Sequence, residues 1–312
     1  MRKIFANRAC GILYRFVKQN GGRYLLPANV CPVVPLTFRL AEVGFDFVDI
    51  DADTLCIGEQ ACLSMIEDGG YNGLLFVHTY GTDYNPQPFF RQLKDRQPNI
   101  HIVDDKCLCA PDFTILQTEA DLTMFSTGYA KYVDLGGGGF GFLKDNLDLS
   151  LAPLRFDGSE IEPVYKEAFA KKEKIAHVPS GWLDTFVFDQ STDEYCQHIE
   201  YERSRMIMHK KEINAIYREH LDKVKALDDD FNQWRFNILV ENKQCLLKKL
   251  FDAGLFASSH YQPSSALFVD DHFPVAEYLY EHIVNLFNDR YITREQAERI
   301  VRIVRDSLMD RA

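Results

Sequence analysis

The stretch "ADLTMFSTGYAKYVDLGGGGFGFLKD", residues 120–145, decides how the chain is read. Leu122 to Phe125 is an apolar run of strand length, and Phe140 to Leu143 is a second. Between them stand Ser126, one lysine, Lys131, and four consecutive glycines at 136–139. In open sheets of alternating strands and helices, ligands bind beyond the carboxyl ends of the strands. A lysine desolvated at such a place loses part of its preference for the charged form, and its amine becomes a nucleophile toward carbonyl groups. A neighbouring serine and glycine-rich backbone suit a phosphate.

Working outward, the first two-thirds alternates strand-like and helix-like segments. "RYLLP" (23–27), "FDFVDI" (45–50), "GLLFVHTYG" (73–81) and "IHIVDD" (100–105) read as strands. "PVVPLTFRLAEVG" (32–44) and "QPFFRQLKDR" (87–96) read as helices. Strands separated by helices predict parallel crossovers and an α/β domain with a mostly parallel central sheet. The last third reads differently. A long polar helix spans 194–221, "RFNILV" (235–240) is a strand, and 243–254 and 276–287 are helices. A final helix, 292–308, opens with the capping box Thr293–Gln296. The expected organisation is a large α/β domain over 1–190. A connecting helix and a small α+β domain follow over 191–312. No internal repeat or low-complexity linker is present.

The chain has 312 residues, 46% hydrophobic and 26% charged, which is ordinary for a globular protein with a full core. Its net charge of −11 argues against a general nucleic-acid or anionic-membrane binder. The opening "MRKIFANRACGILYRF" lacks the apolar core and small-residue cleavage site of a signal peptide, and no run approaches a membrane span. Eight cysteines stand at 10, 31, 56, 62, 107, 109, 196 and 245 without a CxxC pair. The expectation is a cytoplasmic protein with reduced thiols. Cys107 and Cys109 lack partners at zinc spacing, so no metal site is expected.

A lysine, an aspartate at a strand end and a phosphate cradle are the parts that a pyridoxal phosphate site needs. Five landmarks, in order, resemble one family. "YLLPANVCPVVPLTFRLAEVGFDFVDIDADTLCIG" (24–58) is similar to its strand–Pro–turn–helix–strand followed by "vDid.dTlni". "VHTYGTDYNP" (77–86) is similar to its "VHlyG", and "HIVDDKCLCAP" (101–111) to its "viEDaaqa". "FSTGYAKYVDLGGGGFGFL" (125–143) is similar to "FSF..tKnl..GeGG". "HYQP" (260–263) with 272–304 is similar to "hY.P" and the family's closing segment. The chain thus resembles the DegT/DnrJ/EryC1/StrS family, sugar aminotransferases of fold type I that depend on pyridoxal 5'-phosphate.

That resemblance implies that Lys131 holds the cofactor covalently and shuttles protons. Asp105 would pair with the pyridine nitrogen and Ser126 with the phosphate. Asn7, Arg8 and Ala9 fall at the family's "SGTaAL" helix start and become phosphate candidates. Cys31 stands where the family stacks an aromatic on the ring. His78 is a cofactor-contact candidate, or else a hydrogen-bonded histidine beneath the site. Tyr129, His260 and Tyr261 are substrate candidates. The glycines would permit close approach to the cofactor or a partner subunit. Departures are Leu108, where the family has a glutamine or histidine, the glycine replacing the glutamate of "GEGG", and the lost "NyRm" segment. "PSGWLDTF" (179–186), with Trp182, occupies that last place. The implied reaction is amino transfer to a nucleotide-linked keto-sugar from an amino-acid donor such as glutamate. The implied assembly is a homodimer with active sites at the interface. Altered cofactor walls leave two alternatives open. One is a different reaction, such as dehydration, or a smaller substrate. The other is a degenerate member that only binds.

Overall fold

The computed structural model describes residues 1–114, 117–149, 161–175, 178, 183, 188, 190–221 and 224–309. Chain order runs β1 (Arg2–Ala6), α1 (Ala9–Asn20), β2 (Arg23–Pro27), α2 (Val33–Leu40), β3 (Gly44–Val48), α3 (Glu59–Glu67), β4 (Gly73–Val77) and α4 (Gln87–Arg96). It continues through β5 (His101–Asp105), β6 (Leu122–Ser126), β7 (Gly139–Leu143), α5 (Ile161–Lys171) and α6 (Thr192–His220). The last part holds β8 (Lys225–Ala226), β9 (Phe236–Leu239), α7 (Lys243–Asp252), β10 (Ala257–Ser258), α8 (Pro274–His282), β11 (Ile283–Leu286) and α9 (Arg294–Met309).

Seven strands form one sheet in the order β1-β7-β6-β5-β4-β2-β3. The five from β3 to β6 are parallel, and β7 and β1 close that edge antiparallel. The mostly parallel sheet expected from the alternation is therefore present. Strand β1 was not anticipated. "RKIFA" is too short and too polar to stand out, and it becomes a strand because β7 offers it a full ladder from Arg2–Leu143 to Ala6–Gly139. Buried residues cover both faces. Tyr24, Leu26, Leu75, Val103, Leu122 and Met124 face α1 and α2. Leu25, Leu74, Phe76 and Ile102 pack with side chains of α3 and α4.

The second sheet is antiparallel, ordered β10-β11-β9-β8. Here one expected element is corrected. The helix expected over 276–287 stops at His282, and Ile283–Leu286 is a strand. The apolar residues fit a 3.6-residue period, but Ile283 and Val284 are β-branched, and β9 and β10 offer ladder partners on both sides. Tertiary pairing overrides the local pattern. At α9 the capping box forms as expected. Gln296 N donates to Thr293 Oγ1 at 3.2 Å, and Thr293 N donates to Gln296 Oε1 at 2.9 Å.

Candidate active site

Register places the first elements of the site. Asp105, the last residue of β5, is level with Val77 on β4 and Met124 on β6, so all three side chains share one face. Ser126 lies two residues beyond Met124 and faces the same way. The loop carrying Lys131 leaves directly from Ser126. Ala130 adopts a left-handed φ of 58°, and its N–H donates to Asp134 Oδ2 at 2.9 Å while its carbonyl accepts Trp234 Nε1–H at 2.7 Å. The residue before the lysine is thus held from both the large sheet's loop and the start of β9.

Asp105 is 5% exposed. Burial raises its pKa, while hydrogen bonds from Cys107 and the charge of Lys131 pull it back down. One of those bonds is Cys107 N–H to Oδ1, at 2.9 Å. Cys31 and Cys107 lie near this carboxylate, and Cys10 lies near both thiols. Burial pushes Cys10 up to about 11, Cys31 up, and Cys107 well above its ordinary value. They are neutral at physiological pH, so they line the pocket as small apolar groups. Cys31 and Cys107 both lie within electrostatic reach of Lys131. Across from them sits the His260–Tyr261 pair, joined by a cis peptide bond. Tyr261 senses Cys31, Arg235, Asp105 and Cys107. His260 is held at about 3 by burial, then by the positive charges of Arg235 and Lys131, so its ring stays neutral. The Tyr80 hydroxyl donates to the His260 carbonyl at 2.5 Å, and Tyr80 and Tyr261 both stack parallel to Trp234.

The glycine run now has a physical reason. Gly139 is level with Ala6 on one side and Ser126 on the other. A Cβ there would stand 2.4 Å from Ala9 N, so only glycine lets β7 pass under the first turn of α1. Gly138 N donates to Asn7 O at 2.7 Å, and Gly138 pairs with Arg8. Asn7, Arg8, Ala9 and Ser126 are thereby gathered around one helix start. That helix has no side-chain cap and no acidic residue in its first turn. The positive end of its dipole lies there and favours an anion.

Two candidates do not join this group. His78 lies on the opposite face of the sheet, where Nδ1 donates to the Thr82 carbonyl at 2.9 Å and Nε2 faces Asp104 Oδ1 at 2.9 Å. Both ring nitrogens are occupied there. This arrangement matches the hydrogen-bonded reading of His78. Alternation along β5 is the cause, since Asp104 and Asp105 point to opposite faces. Tyr129 is 83% exposed and touches solvent rather than the buried cluster. Leu108 is buried in the core, and Trp182 lies outside the described residues. Among the described residues no group of histidine, cysteine and carboxylate side chains could hold a metal ion. A cleft of about 280 Å³ does open on the His78 face, walled by Lys106, Cys109 and Thr123, but neither Asp105 nor Lys131 lines it.

Sequence reading missed Trp234, Arg235, Cys10 and Cys107. The one available signal was "QWRFNILV", an arginine at the entrance of an apolar strand. Its nearness to Lys131 depends on docking between the two sheets.

Comparison with protein-family models and with curated proteins gives no match. Solved structures do match over nearly the whole chain. Helicobacter pylori PseC, an aminotransferase involved in the biosynthesis of pseudoaminic acid, has a TM-score of 0.76 at 15% identity, covering 99% of this chain and 87% of that one. A DegT DnrJ EryC1 StrS aminotransferase from Brucella abortus has a TM-score of 0.69 at 17% identity, covering 98% and 86%. The chain has the fold of the DegT/DnrJ/EryC1/StrS aminotransferases. An E. coli GDP-4-keto-6-deoxy-D-mannose-3-dehydratase with bound hydrated PLP shares it too, at a TM-score of 0.66 and 13% identity, covering 97% and 87%. At such identities the likeness is one of fold, and chemistry must be argued from this chain's own residues.

Those residues fit the cofactor of that fold. A buried carboxylate whose neighbouring cation is Lys131 suits a protonated ring nitrogen. The uncapped α1 start beside Ser126 suits a phosphate. Asn29 Nδ2 and Ser264 Oγ are buried without hydrogen-bond partners, on the loops that bring Cys31 and Tyr261 to the site. Buried polar atoms without partners are costly in a finished core and natural in the wall of a binding site.

Proposed function

We propose that the protein is a pyridoxal 5'-phosphate-dependent aminotransferase. Its substrate is a nucleotide-linked keto-sugar, and an amino acid, with glutamate the first candidate, donates the amine. The observation that carries this is the closeness of half-buried Lys131 to the buried Asp105 carboxylate and to Cys107. When bound, the cofactor supplies an electron sink for the substrate carbanion. Asp105 holds a proton at the ring nitrogen, and its burial makes that charge effective. Lys131 Nζ would hold the cofactor and would serve as the general base and acid for the proton at the substrate Cα. Ser126 Oγ and the α1 amides hold the phosphate, and Cys31 and Cys107 exclude water from the ring. Residues 1–190 form the cofactor-binding domain and 191–312 the smaller one.

A homodimer completes the site in this reading. Tyr129 beside the lysine loop and Tyr291 on the rim of the Lys131 cleft are 83% and 64% exposed, an apolar surface suited to a second subunit. Among the described residues no helix is long and apolar enough to cross a membrane.

Borohydride reduction of cofactor-loaded protein followed by peptide mapping tests the assignment. The label should fall on the peptide containing Lys131 and vanish in Lys131→Ala, which should still fold. Labelling of another lysine sinks the reading. A change in visible absorbance on adding glutamate indicates transamination, and failure to take up any cofactor supports the non-catalytic alternative.

A further inference from the structure

Arg235 precedes β9 and is 5% exposed. Its guanidinium carbon lies 4.0 Å from the ring centroid of Trp234 and 3.8 Å from that of Phe287. Nη1 donates to Ser258 Oγ. No carboxylate among the described residues lies within 4 Å of it. Asp289 acts on it only at longer range. A guanidinium buried this deeply without an ion-pair partner is expensive, and burial lowers its pKa to about 10 against the opposing pull of Tyr261, Asp289 and Tyr129. Such a group is retained where a ligand supplies the missing charge.

The geometry says what kind of ligand. Arg235 lines the same narrow cleft as Lys131. The other walls of that cleft have their charges engaged. Asp134 accepts Ala130 N–H and Gly136 N–H, Glu202 pairs with Arg205 at 3.0 Å, Asp289 Oδ1 accepts Tyr291 N–H, Lys210 donates to Trp234 O and Asn288 Oδ1, and Arg290 donates to the Tyr291 hydroxyl. Stacking on two rings leaves the guanidinium's donors at its edge, a planar fork that matches one carboxylate in bidentate fashion. An α-amino acid carries its carboxylate one bond from the carbon whose proton a base must move. Anchor and base must therefore wall one cleft, and Arg235 and Lys131 do.

We propose that Arg235 is the recognition group for the carboxylate of the amino-acid donor, a role that rests on the aminotransferase reading of the site. A phosphoryl group of the sugar nucleotide is the lesser fit, because it carries more charge than one deeply buried guanidinium balances.

The test reads binding rather than turnover. The chain has two tryptophans, so in a Trp182→Phe background emission comes from Trp234, which lies against the guanidinium. Glutarate is titrated into the cofactor-loaded, full-length protein, with glutaramide and inorganic pyrophosphate as separate titrants. Glutarate should change the emission saturably and bind about 10- to 100-fold more tightly than glutaramide. Arg235→Met keeps the apolar packing and should lose that preference, and Arg235→Lys should restore part of it. Should Arg235→Met fail to fold, the comparison of glutarate with glutaramide on the parent protein decides alone. Equal affinity for the two, or a preference that survives in Arg235→Met, overturns the proposal. So does an Arg235-dependent response to pyrophosphate without one to glutarate. Failure of the aminotransferase reading would show separately, as absence of borohydride labelling at Lys131.

Discussion

Gly139→Ala places a methyl carbon where the backbone of α1 begins. The new Cβ would stand 2.4 Å from Ala9 N, 2.7 Å from Ala9 Cα and 2.9 Å from the Arg8 carbonyl carbon. Ordinary contact begins near 3.4 Å, so the helix start must retreat by about 1 Å. Backbone atoms in a register fixed by Gly138 N–Asn7 O cannot swing aside as a side chain can. Overpacking of this kind costs about 1–3 kcal/mol, which lowers Tm by roughly 2–10 °C. The functional effect is larger than the stability effect, because the retreating turn carries Asn7, Arg8 and Ala9 away from Ser126. Gly137→Ala is the control. Its Cβ has nothing nearer than Asn7 O at 3.8 Å, so stability should stay within about 0.5 kcal/mol of the parent. Thermal melts and titration of cofactor uptake by visible absorbance measure both variants. If Gly139→Ala melts and loads cofactor like Gly137→Ala, the contact between β7 and α1 does not shape the phosphate site.

Two further outcomes are expected. Asp105→Asn should retain the cofactor but turn over about 100-fold more slowly or worse, since an amide supplies no charge to hold the ring proton; parent-like turnover would point to Asp104. Lys210 is fully buried, donates to Trp234 O at 2.8 Å and Asn288 Oδ1 at 2.7 Å, and is held near 7 by burial. Between about pH 7 and 10.5 the unfolded chain binds the proton that the folded chain has released, so its contribution to stability grows as pH rises through that window and is lost below it. Urea melts at pH 7 and pH 9 should therefore show the parent gaining on Lys210→Met by up to roughly 1.4 kcal/mol per pH unit, and a pH-independent difference would refute the neutral amine.

The local order of the chain was written in short-range patterns. Alternating apolar runs separated by turn residues specify β2 to β6 and the parallel sheet, because strand burial on both faces leaves an unbroken apolar signature. The capping box of α9 is likewise local, since both partners lie three residues apart. Lys131, Asp105 and Ser126 stood out as candidates because each lies at or just past a strand end, and strand ends are where such sheets place ligands. What the sequence could not decide is whatever depends on a partner far along the chain. Strand β11 exists because β9 and β10 flank it, although its residues also fit a helix. His78 and Asp105 look alike as polar residues at strand ends. Alternation and neighbours send one against Asp104 and the other toward Lys131. Trp234 reaches across 104 positions to the carbonyl of Ala130, and Arg235 meets Lys131 in one cleft, only because the second sheet docks against the first. Period and turn chemistry act over a few residues, whereas burial and charge act over ångströms, and only the folded chain converts one distance into the other.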